Sequence, residues 1–116
     1  ILYVDEAGRS TIHYDQLKDK TFYVHRGIIL LEFFNKKADE IKTIENVLMY
    51  DNDSIEIQHE QLHRFTGLRY TEIIEFSSHN QGEKIVVDGF AGGERLSEEE
   101  LHKLQEEYLP KHELRG

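Results

Sequence analysis

The chain has 116 residues, 38% apolar and 32% charged, with a net charge of −9 when histidine is neutral, which is enough for one core and no second one. So acidic a surface repels phosphate backbones and argues against nucleic acid as a partner, and the absence of cysteine excludes disulfides, thiolate metal sites and cysteine nucleophiles. The longest apolar run, residues 27–31 with Phe33 and Phe34, is interrupted by Glu32 and far too short to span a bilayer; no secretory signal is visible, so no membrane and a cytoplasmic setting are expected.

Residues 1–4 are apolar and rich in strand formers, and residues 5–9, with Gly8, read as a turn. Residues 10–15 alternate, with Ile12 and Tyr14 on one face and Thr11, His13 and Asp15 on the other. A polar loop over 16–19 leads to a strand over 20–25, in which Lys20, Phe22 and Val24 share a face and His25 points away. Gly27 breaks that strand, and 28–34 follows as a buried one. After a charged turn at 35–39, Ile41, Ile44 and Val47 recur at helical spacing, but β-branched content and position among strands favour a strand over 40–48. A turn at 51–53, a strand at 54–58, a short strand at 62–65 ended by Gly67 and a strong strand at 70–77 follow. A loop at 78–83 and a strand at 84–88 complete the β-rich part.

The remainder differs in kind. Residues 89–95 are glycine-rich and loose. Ser97 followed three residues later by Glu100 is a capping-box pattern, and Leu101, Leu104 and Tyr108 then repeat at helical spacing before Pro110 stops the turn. One amphipathic helix over 97–108 is predicted. Short strands at close spacing argue for an all-β antiparallel sandwich or barrel, expected as a single domain with the barrel over about 1–88 and the tail and helix over 89–116.

Two segments carry a resemblance. Residues 8–27 read GRSTIHYDQLKDKTFYVHRG and residues 51–78 read DNDSIEIQHEQLHRFTGLRYTEIIEFSS. Together they resemble the two motifs of the cupin family of small β-barrels, or jelly rolls. His13 stands at the first histidine place of the first motif, Asp15 at the second, Lys20 at the glutamate place and Gly27 at its closing glycine; His63 stands at the histidine that ends the second motif. The stretch from His63 onward looks closer still to the cupin domains of sugar-nucleotide enzymes and type II mannose-6-phosphate isomerases, with His63, Arg64, Glu75 and Ser77 in matching places. The departures are Asp15 where histidine is usual, Lys20 where glutamate is usual, a shorter gap between Gly8 and His13, and Asn52, Gln58 and Glu60 in place of glycine, proline and glycine. Residues 3–8 also resemble the opening of some RNase H-like proteins, but that chemistry needs converging acids on a larger α/β fold.

The resemblance implies a divalent transition metal (Zn, Mn, Ni or Fe) held by His13, Asp15 and His63, a ligand set of the facial-triad kind. Lys20 opposes this, because an ammonium repels a cation and offers no lone pair. It can pair with Asp15 instead, so the site either keeps three ligands or has lost its metal. Lys20 and Glu75 are the candidate catalytic groups, and Phe22 and Phe65 the candidate ligand-binding aromatics, although core packing explains two phenylalanines equally well. The implied ligand is a small carbohydrate. The implied function is metal-assisted isomerisation or epimerisation of a sugar or sugar phosphate; the alternative is a non-catalytic sugar-binding or structural cupin. A homodimer is expected in either reading. Arg64 alternates away from His63 and should form an exterior ion pair, His59 lies in a turn, and His79, His102 and His112 are expected at the surface.

Overall fold

The computed structural model describes residues 1–37, 39–77, 82–89 and 93–113. The strands form two antiparallel sheets. The smaller joins β1 (Leu2–Val4), β9 (Thr71–Ser77), β4 (Lys20–Arg26) and β7 (Ser54–Ile57), in that order. The larger is organised about β8 (Leu62–Gly67). One edge of β8 pairs with β5 (Ile29–Lys37), which pairs in turn with β6 (Glu40–Met49). The other edge takes β2 (Gly8–Arg9) and β3 (Ile12–Asp15) end to end, and these carry β11 (Glu94–Arg95) and β10 (Lys84–Asp88) beyond them.

Alternation decides what lies between the sheets. Phe22 and Val24 of β4, Ile73 of β9, Ile29, Leu31 and Phe33 of β5, and Met49 and Ile57 form the inner core with Val4. The other face of β5 is covered as well, so this strand is apolar on both sides. There Leu30, with Ile28 and Leu68, packs under Leu96, Leu101 and Leu109 of the C-terminal segment. The helix α1 (Glu98–Tyr108) starts on the predicted capping box: Ser97 Oγ accepts from the Glu100 amide and Glu100 accepts from the Ser97 amide. Gln105 Nε2 donates to the Leu68 carbonyl at 2.8 Å, tying the helix to the end of β8. Leu101 is 6% exposed, so Leu101→Ala should cost about 2–5 kcal/mol. Urea unfolding followed by far-UV circular dichroism measures this, and a loss below about 0.5 kcal/mol would mean the helix does not hold to the sheet.

Three expectations change. Residues 5–9 narrow to a turn at Glu6 and Ala7, because Gly8 and Arg9 pair with Glu94 and Arg95 as β2 and β11; part of the stretch read as loose, residues 93–95, is therefore ordered. The charged turn at 35–39 is shorter, since β5 and β6 continue pairing out to Lys37 and Glu40. The strand ended by Gly67 includes Thr66 and Gly67, and a Cβ on Gly67 would lie 2.6 Å from the Asp5 carbonyl oxygen. Residues 40–49 are a strand despite the helical spacing, with an irregularity opposite Phe33 and Phe34 that explains the broken alternation. Asn52 and Glu60, standing where the cupin motif has glycine, both keep left-handed backbone, at φ 71° and 66°. Most of the loop at 78–83, with His79, lies outside the described residues.

Candidate functional site

His13 on β3 and His63 on β8 are direct partners across the ladder. Their side chains point between the sheets, fully buried, with ring centroids 4.5 Å apart. Each ring is fixed in the same way. His13 Nδ1 lies 2.9 Å from the Thr11 carbonyl and His63 Nδ1 lies 2.8 Å from the Gln61 carbonyl, two residues upstream in both strands. A carbonyl only accepts, so each Nδ1 carries the proton and each Nε2 presents a lone pair. Burial drives His13 down to about 4, helped by the Lys20 and Lys84 ammoniums, and drives His63 down to about 3, helped by Lys20. Both imidazoles are neutral at physiological pH. His63 Nε2 is buried with no hydrogen-bond partner among the described residues.

Asp15 shares the inward face of β3 with His13 but is engaged elsewhere. Its Oδ2 lies 2.8 Å from Lys20 Nζ, and both side chains are buried. Burial works to raise the Asp15 carboxyl, but the hydrogen bond and charge of Lys20 outweigh it and hold Asp15 below the ordinary carboxylate range. Glu75 on β9 is the register partner of Phe22 and turns to the same face, leaving its Oε1 3.8 Å from Lys20 Nζ at the half-exposed mouth. Phe22 stands under this cluster, edge-on to His63 and to Phe65, with the Lys20 ammonium 5.2 Å from its ring centre. The two phenylalanines belong to the inner core and also line a cavity of about 290 Å³ that His13, Asp15, Lys20 and Glu75 share. A wider cleft of about 560 Å³ adjoins it through Leu2, Ser10, Phe65 and Lys84.

The predicted metal ligands are therefore brought to one place unequally. The two imidazoles are oriented as metal-binding histidines usually are, with Nδ1–H on a carbonyl. The third donor, Asp15, is occupied by a cation of the chain itself, and among the described residues no group of three His, Asp or Glu side chains is set to hold an ion. A second cation placed here would meet the Lys20 charge that already depresses both histidines. The donor set does not fit a divalent metal.

The remaining sequence candidates fall outside the cavity. His59 is exposed and bridges to Asp19 at 2.7 Å, His25 and His102 are exposed, and Arg64 pairs with Glu32 at 3.0 Å on the outer face of the larger sheet. Lys18 and Lys84 line the cavity and were not singled out from sequence. Lys84 lies opposite Asp15 only because β10 pairs with β3, a long-range register that strand parity cannot supply.

Neither a protein-family model nor a curated protein matches the sequence. The solved structures do show a likeness. The vicilin of Capsicum annuum aligns with a TM-score of 0.64 and 13% identity over 75% of this chain, which spans only 25% of the vicilin chain. The fold is cupin-like. Identity this low speaks for the fold alone, so the vicilin match supports the cupin-like barrel and leaves the sugar-nucleotide branch to the residues of the second motif. Among the described residues, no helix is long and apolar enough to cross a membrane.

Proposed function

We propose that this cupin-like domain binds a small carbohydrate-type ligand between its sheets without a metal. The observation that carries the reading is the Asp15–Lys20 pair, 2.8 Å long and buried inside a cavity of about 290 Å³ floored by Phe22 and Phe65. A recess in which charged and polar side chains converge beside two aromatic rings suits a polar small molecule. The aromatic faces suit the apolar side of a sugar ring, and Lys20, Glu75 and the His13 imidazole supply the donors and acceptors its hydroxyls need. Lys20 takes the place a cation would otherwise fill.

Elemental analysis of protein purified without a histidine tag, before and after exposure to Zn, Mn, Ni and Fe salts, should find less than one metal per ten chains. Thermal-shift titration with a carbohydrate panel should give stabilisation that Phe65→Ala reduces. Stoichiometric metal that is lost in His63→Ala would overturn the metal-free reading, and a flat response to every carbohydrate would overturn the ligand class. A second reading, proton transfer on a bound sugar, draws on Glu75, the one cavity carboxylate that is both half-exposed and close to Lys20.

A further inference from the structure

Among the described residues the free sheet edges are not equally defended. An unpaired edge exposes backbone donors and acceptors and invites another strand, and folded chains blunt it with charges, proline or a bulge. In the larger sheet β6 carries Glu40, Lys42 and Glu45 and an irregularity in its pairing. There β10 carries Lys84 and Asp88 and a second irregularity, and β11 is Glu94–Arg95. In the smaller sheet β7 carries Glu56 at one edge. The other edge is β1, which reads Leu-Tyr-Val and pairs with β9 in unbroken register. It has no charge, no proline and no bulge. Its side chains are also uncovered on both faces. Leu2, opposite Ile73, turns between the sheets and is 37% exposed, whereas Tyr3, opposite Glu72, turns outward and is 65% exposed. A missing covering layer would leave one face bare. Exposure on both faces of one strand marks a missing neighbour within the sheet.

We infer that the β1 edge pairs with β1 of a second copy of this chain, antiparallel about Tyr3, so that two smaller sheets become one continuous sheet. The strand suits itself as a partner. Tyr3 then stands opposite the partner's Tyr3 on the outer face, and Leu2 opposite the partner's Val4 on the inner face, where aromatic and apolar cross-strand pairs are favourable. The first charge along the strand, Asp5, meets the partner's Ile1 and no like charge. That matters in a chain carrying −9: two copies repel over most of their surface, and an uncharged edge lets their backbones approach. A two-fold contact uses the same edge in both copies, so association stops at two. The contact is short, so the dimer belongs with small, weak interfaces and dissociates at micromolar concentration. It also reaches the cavity. Leu2 lines both the cavity of about 290 Å³ and the adjoining cleft of about 560 Å³, and a strand laid along β1 borders their mouth whatever the cavity binds.

Sedimentation velocity of the full chain across the micromolar range should show a monomer–dimer equilibrium. Tyr3→Lys and Tyr3→Glu, both at an exposed position, set like charges opposite each other. Each should weaken self-association about tenfold while far-UV circular dichroism stays that of the wild type. An equimolar mixture of the two variants should dimerise again, because lysine then faces glutamate across the two-fold. Ile44→Lys, at an exposed apolar position on β6, should change nothing. A chain that is monomeric at every concentration would overturn the inference, and so would a dimer indifferent to both Tyr3 changes. Loss of the dimer in both variants with no recovery on mixing would mean that the outer faces pack together, about Tyr3 and the exposed Phe76, and would overturn the strand pairing.

Discussion

Lowering the pH from 6.5 to 4 should remove several kcal/mol of folding stability, on the order of half of what a domain this size possesses. The cause is the His13–His63 pair. In the folded protein burial holds them neutral down to about 4 and about 3; in the unfolded chain both take up protons near the ordinary 6.5. Between those values the unfolded state binds more protons, so stability falls as pH falls, and it levels only once the folded rings titrate. Asp15 adds to the loss at the acid end, because its carboxylate, held below the ordinary range by Lys20, contributes stability that disappears when it is protonated. His59 acts in the opposite sense: Asp19 raises it, so its contribution is present below 6.5 and fades at higher pH, but the pair lies at the surface, half-exposed and screened by water. Urea unfolding at half-unit steps of pH measures the slope. His63→Leu, which keeps the volume and removes the titrating group, should cut the slope by about half. A stability independent of pH across this interval would show that the imidazoles are not buried as a pair.

The inward faces were legible in the sequence because a strand has a period of two. Lys20, Phe22 and Val24 were expected on one face and are all buried there, and His13 and Asp15 likewise share a face. The capping box placed the helix start correctly because Ser97 and Glu100 satisfy each other locally. What escaped the sequence was set by distant pairing. Gly8 and Arg9 become a strand because β8 and β11 come alongside, and Lys84 faces Asp15 only because β10 closes the larger sheet at its edge. The parity of Glu75 was undecidable until β9 was registered against β4. The metal site shows the same limit from another side. The resemblance to the cupin motifs put His13, Asp15 and His63 in one neighbourhood and left open whether Asp15 would meet a metal or Lys20; in the fold Lys20 holds it.

That contact makes Lys20 the residue whose loss should cost the most among the polar groups of the cavity. Lys20→Met keeps the aliphatic length that packs over Phe22 and removes only the ammonium. Asp15 is then a buried carboxylate with its cation gone, and breaking a buried pair from one side typically costs about 3–5 kcal/mol. Glu75, at the mouth, can turn to water and suffers little. The test of this account is the second partner. In Lys20→Met with Asp15→Asn no charge is stranded, and the double variant should recover most of the stability, to within about 1–2 kcal/mol of the wild type. The single Asp15→Asn variant should be destabilised as well, because it strands the ammonium. Additive losses in the double variant would mean that Lys20 and Asp15 act separately, and the argument that an internal ion pair stands where a metal would be bound would fail with them. Recovery would show the reverse: that the pair behaves as one unit, dispensable for folding when removed whole.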